Sequence, residues 1–449
     1  MRRAAALALA ACVLPAAAVA ETQMSRAKYD VRVFARVPAP GSPEPVVVAP
    51  DRSVYVGTNQ IGKGGEENAS APSRVFRYSP AGKLLRSYVL RGQPLDQDHG
   101  IQGLALDGDG QLHVLDRSAD PRLVVLDPET GAQRRYASFR DVAPCSTGAP
   151  AGNCSATTLD MPSGPDYVTI APDGTMYVTD IDQALIWRVK RGGGRPEVWF
   201  TDPRLESVFG PNGIQLMADR RTLLFAQTGS NPNAGNSTTG RLYKLPILPN
   251  GKAGELTQFW ESLPGEGPDG LAIARSGNVY VALAGAGSVA VISPAGEQVA
   301  RIPPTPVQNA AQEVPFNGPA SAAFDGRRLL VTNQGFPEGS PETWAVLDVF
   351  TGEPGLPLHR PHVLPLELGV APKRAVVGER TTFRFRVTLG GRPVRDALVR
   401  FTGRRVRTGA RGRARMRFVP KHAWLRRPVA VKRGYLRGRA VVRFVNSGS

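Results

Sequence analysis

Pro268–Leu283 reads PDGLAIARSGNVYVAL. After the proline come a short apolar strand, a polar turn containing glycine, and a Val/Tyr-rich strand, the pattern of a tight antiparallel pair. The phrase recurs as PEPVVVAPDRSVYV from Pro43, IQGLALDGDGQLHVLD from Ile101 and PDYVTIAPDGTMYVTD from Pro165. It returns as PNGIQLMADRRTLLFA from Pro211 and PASAAFDGRRLLVTN from Pro319. A third short strand is expected after most copies, at Arg74–Ser79, Arg122–Asp127, Ala184–Val189, Arg241–Leu245, Ser288–Ser293 and Thr343–Val349. A fourth follows in most, such as Leu84–Leu90 and Glu197–Thr201. Six units of three to four strands, each about 45 to 65 residues, predict an all-β chain folded as a six-bladed β-propeller. The sixth unit lacks its own outer strand, and Tyr29–Val37, ahead of the first unit, can complete it and remove the open sheet edges.

The chain has 449 residues, 49 of them Gly and 40 Pro, which excludes a coiled coil and a polytopic membrane protein. After the propeller, expected over 21–356, comes a Pro/Gly-rich linker at 357–363. Residues 364–449 then read as a small immunoglobulin-like β-sandwich. In that stretch Thr382–Leu389 alternates strictly, with Phe383, Phe385, Val387 and Leu389 on one face and Arg384 and Arg386 on the other. Residues 1–20 carry Arg2 and Arg3, an apolar run and Ala18-Val19-Ala20, which predict a signal peptide cleaved before Glu21 and hence a secreted or envelope protein. Lipid anchoring at Cys12, in Leu9-Ala10-Ala11-Cys12, is the alternative. Cys145 and Cys154 then remain to form a disulfide across a Gly/Pro/Ser loop, with a metal-binding thiol pair as the rival reading. No later stretch has the roughly 18 uninterrupted apolar residues of a membrane span.

In a propeller the innermost strands surround a central channel, so one repeat position forms a ring around the axis. The position after the proline holds Glu44, Gln102, Asp166, Asn212, Asp269 and Ala320. Three converging carboxylates repel one another unless a cation lies among them. An oxygen-only ring suits a hard ion: Ca2+ foremost, with Zn2+, Mg2+ or Mn2+ as alternatives. Read blandly, P-N-G and P-D-G are simply good turn sequences.

Glu44 in SPEPVV, Asn212 in GPNGI and Asp269 in GPDGL resemble the gluconolactonase, senescence marker protein and luciferin-regenerating enzyme family of six-bladed propellers. The resemblance spans about Glu21 to Leu356 and implies that these three residues hold a catalytic divalent metal. A related phosphotriesterase-type propeller has a further Asn in the third blade, where this chain has Asp166, and the opening reads E-P-V rather than E-G-P. His99-Gly100-Ile101 is similar to a His-Gly-Ile of paraoxonase-like lactonases, which marks His99 as a candidate base. The expected function is an exported, metal-dependent hydrolase of lactones or related esters. In it the cation polarises the carbonyl, and Asp269, Asp166 or His99 accepts the proton of the attacking water. The alternative is a non-catalytic propeller binding protein or sugar-polymer ligands at the cell envelope.

Charge is unevenly spread. The formal net charge is +18, yet Pro361–Ser449 carries 23 Lys and Arg against Glu367, Glu379 and Asp396, leaving the preceding residues at −2. The excess describes the C-terminal module and not the channel. Such a face favours anionic envelope polymers or acidic lipids, or is generic arginine usage; nucleic acid is the least favoured partner because no recognition motif accompanies the charge.

Overall fold

Every copy of the repeated phrase folds as the inner half of a four-stranded antiparallel sheet in the computed structural model. The structure describes residues 26–39, 41–60, 71–150, 152–229, 238–335, 341–357, 366–389, 391–432 and 437–447. The signal peptide, Cys12 and most of the linker expected from the sequence lie outside these residues.

The inner strands are Ser42–Val48, Gly100–Leu106, Pro165–Ile170, Pro211–Leu216, Pro268–Ile273 and Pro319–Asp325, one per blade. In the first five blades the three following strands pair outward in sequence order, and a single bridge, Asn59 to Gly100, joins the first two blades. In the sixth blade the outermost strand is Val31–Arg36, antiparallel to Ala345–Phe350 with Val31 opposite Val349 and Arg36 opposite Ala345. The N-terminal segment therefore closes the ring. Arg26 reinforces the closure by reaching the Asp348 carboxylate at 2.8 Å.

Tight interblade packing follows from the residue types. Inner and middle strands are Val, Leu, Ile and Tyr on both faces, as sheets covered on both sides require. Among the described residues six apolar clusters form, one between each adjacent pair of blades, including the pair that joins the sixth blade to the first. The outer strands face solvent, and Leu84–Val89 is largely exposed.

The C-terminal residues build three small sheets around Phe383, Phe385, Phe401, Phe418 and Phe444. In Thr381–Leu389 the alternation is as expected, with Phe383, Phe385 and Val387 buried and Arg384 and Arg386 exposed. One pairing there is parallel, Arg374–Val376 with Val442–Val445. No helix among the described residues is long and apolar enough to cross a membrane.

Candidate functional site

The six residues aligned by the repeat share one structural device. In every inner pair the register shifts at the aligned position: between Pro43 and Val46, Ile101 and Gly103, Pro165 and Val168, Pro211 and Ile214, Pro268 and Leu271, and Pro319 and Ala322. A bulge of this kind re-aims the side chain at its centre. Glu44, Gln102, Asp166, Asn212, Asp269 and Ala320 each fall inside one, and all are buried. P-N-G and P-D-G are thus parts of strands rather than turns. Their glycines answer to crowding: a Cβ on Gly213 would lie 2.5 Å from the Asp269 carbonyl oxygen. One on Gly270 would lie 2.6 Å from that of Ala320 and 2.7 Å from the Tyr167 hydroxyl. No side chain fits between neighbouring inner strands there.

Asn212 is held by its amide nitrogen, which donates to Thr228 Oγ1 at 2.9 Å, while Thr228 donates to the Pro268 carbonyl at 2.8 Å. That bond commits the Asn212 nitrogen. Asn212 Oδ1, Asp166 Oδ2 and Asp269 Oδ1 are all buried without a hydrogen-bond partner. Orphaned buried acceptors are rare in folded proteins and call for a donor or cation.

Electrostatics agree. Burial, then the charges of Asp269 and Asp166, push the Glu44 carboxyl well above its ordinary range, against a hydrogen bond from Asn59 and the charge of Arg117. Burial and then Asp166 raise Asp269, with Gly270 N–H, Tyr167 and Asn212 opposing. Burial also pushes Asp166 up to about 7, with Arg117 countering and Asp182 and Asp180 reinforcing the rise. The three carboxylates thus share one field.

Two residues the sequence reading missed shape this field. Arg117, at the end of the second strand of blade two, donates to Asp182 Oδ2 at 2.6 Å and brings a cation toward Asp166 and Glu44. Tyr167, on the third blade, reaches the sixth, its hydroxyl donating to the Ala320 carbonyl at 3.1 Å. Tyr167 follows Asp166 directly, and no repeat position marks it.

His99 does not fit the role of base. It is fully buried, and its Nδ1 and Nε2 face the carbonyl oxygens of Gln97 at 2.8 Å and Ala71 at 2.9 Å. Buried with a backbone carbonyl against each nitrogen, the ring presents neither nitrogen to a substrate water and instead ties two loop segments together.

Among the described residues no three Asp, Glu, His or Cys side chains gather closely enough to cage an ion by themselves. The donor set that fits adds the amide oxygen of Asn212 to Asp269, Glu44 and Asp166, oxygen donors suited to a hard cation. A cavity of about 1150 Å³ opens at the other end of the channel, and none of the ring residues line it. The polar chemistry lies at the end where the inner strands begin. The expected disulfide is present between Cys145 and Cys154, with 5.0 Å between their Cα atoms.

A family model described as SMP-30/Gluconolactonase/LRE-like region matches residues 203–333, which include Asn212 and Asp269. Lactonase drp35 of Staphylococcus saprophyticus is 29% identical over 112 residues, 24% of this chain and 31% of that protein, so the match spans about a third of the relative's length. The solved structure of regucalcin, a calcium-binding protein from Agrobacterium tumefaciens, aligns over 74% of this chain and 97% of its own, with a TM-score of 0.51 at 19% identity. A gluconolactonase from Xanthomonas campestris aligns over 73% and 89%, with a TM-score of 0.47 at 16% identity. At these identities the structural likeness is one of fold, and the regucalcin comparison carries it. Over residues 203–333 the chain is therefore similar to the SMP-30/gluconolactonase/LRE-like proteins, and its fold is a six-bladed propeller.

Proposed function

We propose that the propeller hydrolyses lactones or closely related esters at the polar end of its channel, as an exported enzyme dependent on a divalent cation. The observation that carries this reading is the set of three buried oxygens without partners, Asp166 Oδ2, Asn212 Oδ1 and Asp269 Oδ1, contributed by three successive blades. Glu44, Asp166, Asn212 and Asp269 would hold the ion, Ca2+ by the hardness of these donors. When bound, such an ion polarises a carbonyl and acidifies water.

The residues themselves do the rest. Asn212 is locked by Thr228, so its oxygen keeps one direction without reorganisation. Burial raises Asp166 to about 7 in the metal-free protein; beside a bound cation the carboxylate would be held ionised and so be available to accept a proton from the attacking water. The water oxygen bonds to the carbonyl carbon, the ring C–O bond then breaks, and the leaving alkoxide takes up the proton, giving a hydroxy acid. Arg117 and its partner Asp182 limit the negative potential around Asp166.

The test is a lactone panel with and without chelator. Chelation should abolish turnover, and Asp269→Ala should cost more than the roughly 10- to 100-fold lost with an outer-shell metal partner. Saturating Ca2+ at about a hundred times Kd should stabilise the native protein by about 2.7 kcal/mol, read as a rise in Tm. Turnover that ignores both chelator and Asp269→Ala would refute the proposal. No turnover with any lactone would favour the envelope-binding alternative.

Export is supported by the Cys145–Cys154 disulfide, which suits an oxidising compartment. Mass spectrometry of the mature protein should find its N-terminus near Glu21; a lipidated Cys12 would replace secretion by anchoring.

A further inference from the structure

Four residues after each ring position stands an apolar one: Val48, Leu106, Ile170, Leu216, Ile273 and Phe324. All six lie past the bulges, toward the far ends of the inner strands, and form a second, apolar ring farther along the same channel. All six residues line the cavity of about 1150 Å³ at that end, comparable to the upper part of the roughly 300–1,000 Å³ range of small-molecule sites.

The far wall comes from the C-terminal module. After the sixth blade the chain passes back beneath the propeller, with Gly355 N–H donating to Gly326 at 3.0 Å and Leu356 N–H to Ile273 at 2.9 Å. Leu356 and Pro357 themselves line the cavity, so the module is tethered at its rim. In the strand Leu398–Phe401, Val399 and Phe401 enter the module core, which turns Leu398 and Arg400 outward, and both line the cavity.

The lining holds six acidic and six basic side chains, which differ in their partners. Its acidic side chains are engaged: Asp51 and Glu129 pair with Arg77, Asp107 with His113, and Asp396 with Arg395. Asp127 accepts turn N–H groups, and Asp109 also has a partner. Arg220 from the propeller and Arg400 from the module make no ion pair among the described residues. An apolar funnel faced by unpaired guanidinium groups complements a molecule with an alkyl chain and one anionic head.

We propose that this cavity binds a free long-chain alkyl carboxylate, with the chain against the apolar ring and the carboxylate against Arg220 and Arg400. The site is separate from the polar ring and does not depend on the hydrolase reading. Calorimetric titration of the full chain with monomeric octanoate, decanoate and dodecanoate tests it. Binding should saturate at one site and tighten about two- to fourfold per added methylene. Arg220→Gln/Arg400→Gln should weaken dodecanoate at least tenfold, with Tm and lactone turnover unchanged, and dodecyltrimethylammonium should not bind. If the double variant fails to fold, each single variant should show part of the loss. Absence of saturation, equal binding of the ammonium probe, or unaltered affinity in the variants would overturn the proposal. Binding to dodecanoate-containing vesicles but not to the monomer would do the same, pointing to a membrane surface.

Discussion

Asp166 is where charge, burial and chemistry meet. Its carboxyl is pushed up to about 7 by burial, while in the unfolded chain it titrates near 3.9. Below about pH 4 both states hold the proton, and between about 4 and 7 the unfolded chain releases it first. The native state then binds more protons, so this group's contribution to stability falls as pH rises through that window, by up to about 4 kcal/mol. Carboxylates held below their usual range, such as Asp325 between Arg52 and Arg328, act in the opposite sense and destabilise the fold only as pH falls through their lowered values. Metal-free protein should therefore melt progressively lower from pH 4.5 to 7.5, and Asp166→Asn should flatten that slope. A variant slope equal to the native one would show that Asp166 does not titrate in this window. For catalysis the sign reverses, because a base must be ionised, and a cation bound beside Asp166 would favour that form. Asp166 was legible from the repeat alone. Its environment was not, since Arg117 and Asp182 are 65 residues apart and meet only in the fold.

At the scale of the strand, six bulges explain why a repeat position becomes a ring of side chains. The sequence shows Pro-Asn-Gly and Pro-Asp-Gly, which by local preference read as turns; tertiary crowding of inner strands explains the glycines instead. Gly213→Ala and Gly270→Ala should each cost the roughly 1–3 kcal/mol of an overpacked core and reduce cation binding, measured by denaturant titration and calorimetry. Wild-type stability in Gly270→Ala would contradict the close approach of Tyr167. The loop before the third blade is pinned twice, by the disulfide and by buried Glu206. That carboxylate accepts from Thr158 N at 2.6 Å, Thr158 Oγ1 at 2.6 Å and Leu159 N at 2.9 Å. Closing a loop with a sequence separation of nine should contribute about 2–3 kcal/mol, so Cys145→Ser should lower Tm and abolish its sensitivity to reductant. The cysteine pair was evident from spacing and composition. The Glu206 clamp was not, because its partners lie 47 and 48 residues away.

At the scale of the whole molecule, stability depends on closing the circle. Val31–Arg36 covers the edge of Ala345–Phe350, and Ala35 and Val37 join the cluster that also holds Val46, Leu330 and Val346. Deleting residues 26–36 should expose that edge, broaden the thermal transition and promote association, read by circular dichroism and light scattering. A truncated chain that melts like the full one would show that closure is dispensable. The blade number, the closing strand, the channel positions and the confinement of positive charge to the last module all followed from sequence alone. They rest on periodicity and composition, which a linear chain displays directly. Only the tertiary structure decided that His99 is engaged through both nitrogens, that Arg117 and Tyr167 serve the polar ring, and that an apolar ring faces unpaired arginines at the other mouth. These outcomes turn on which distant residues come within hydrogen-bonding or packing range, and packing of blade against blade, not local pattern, sets those distances.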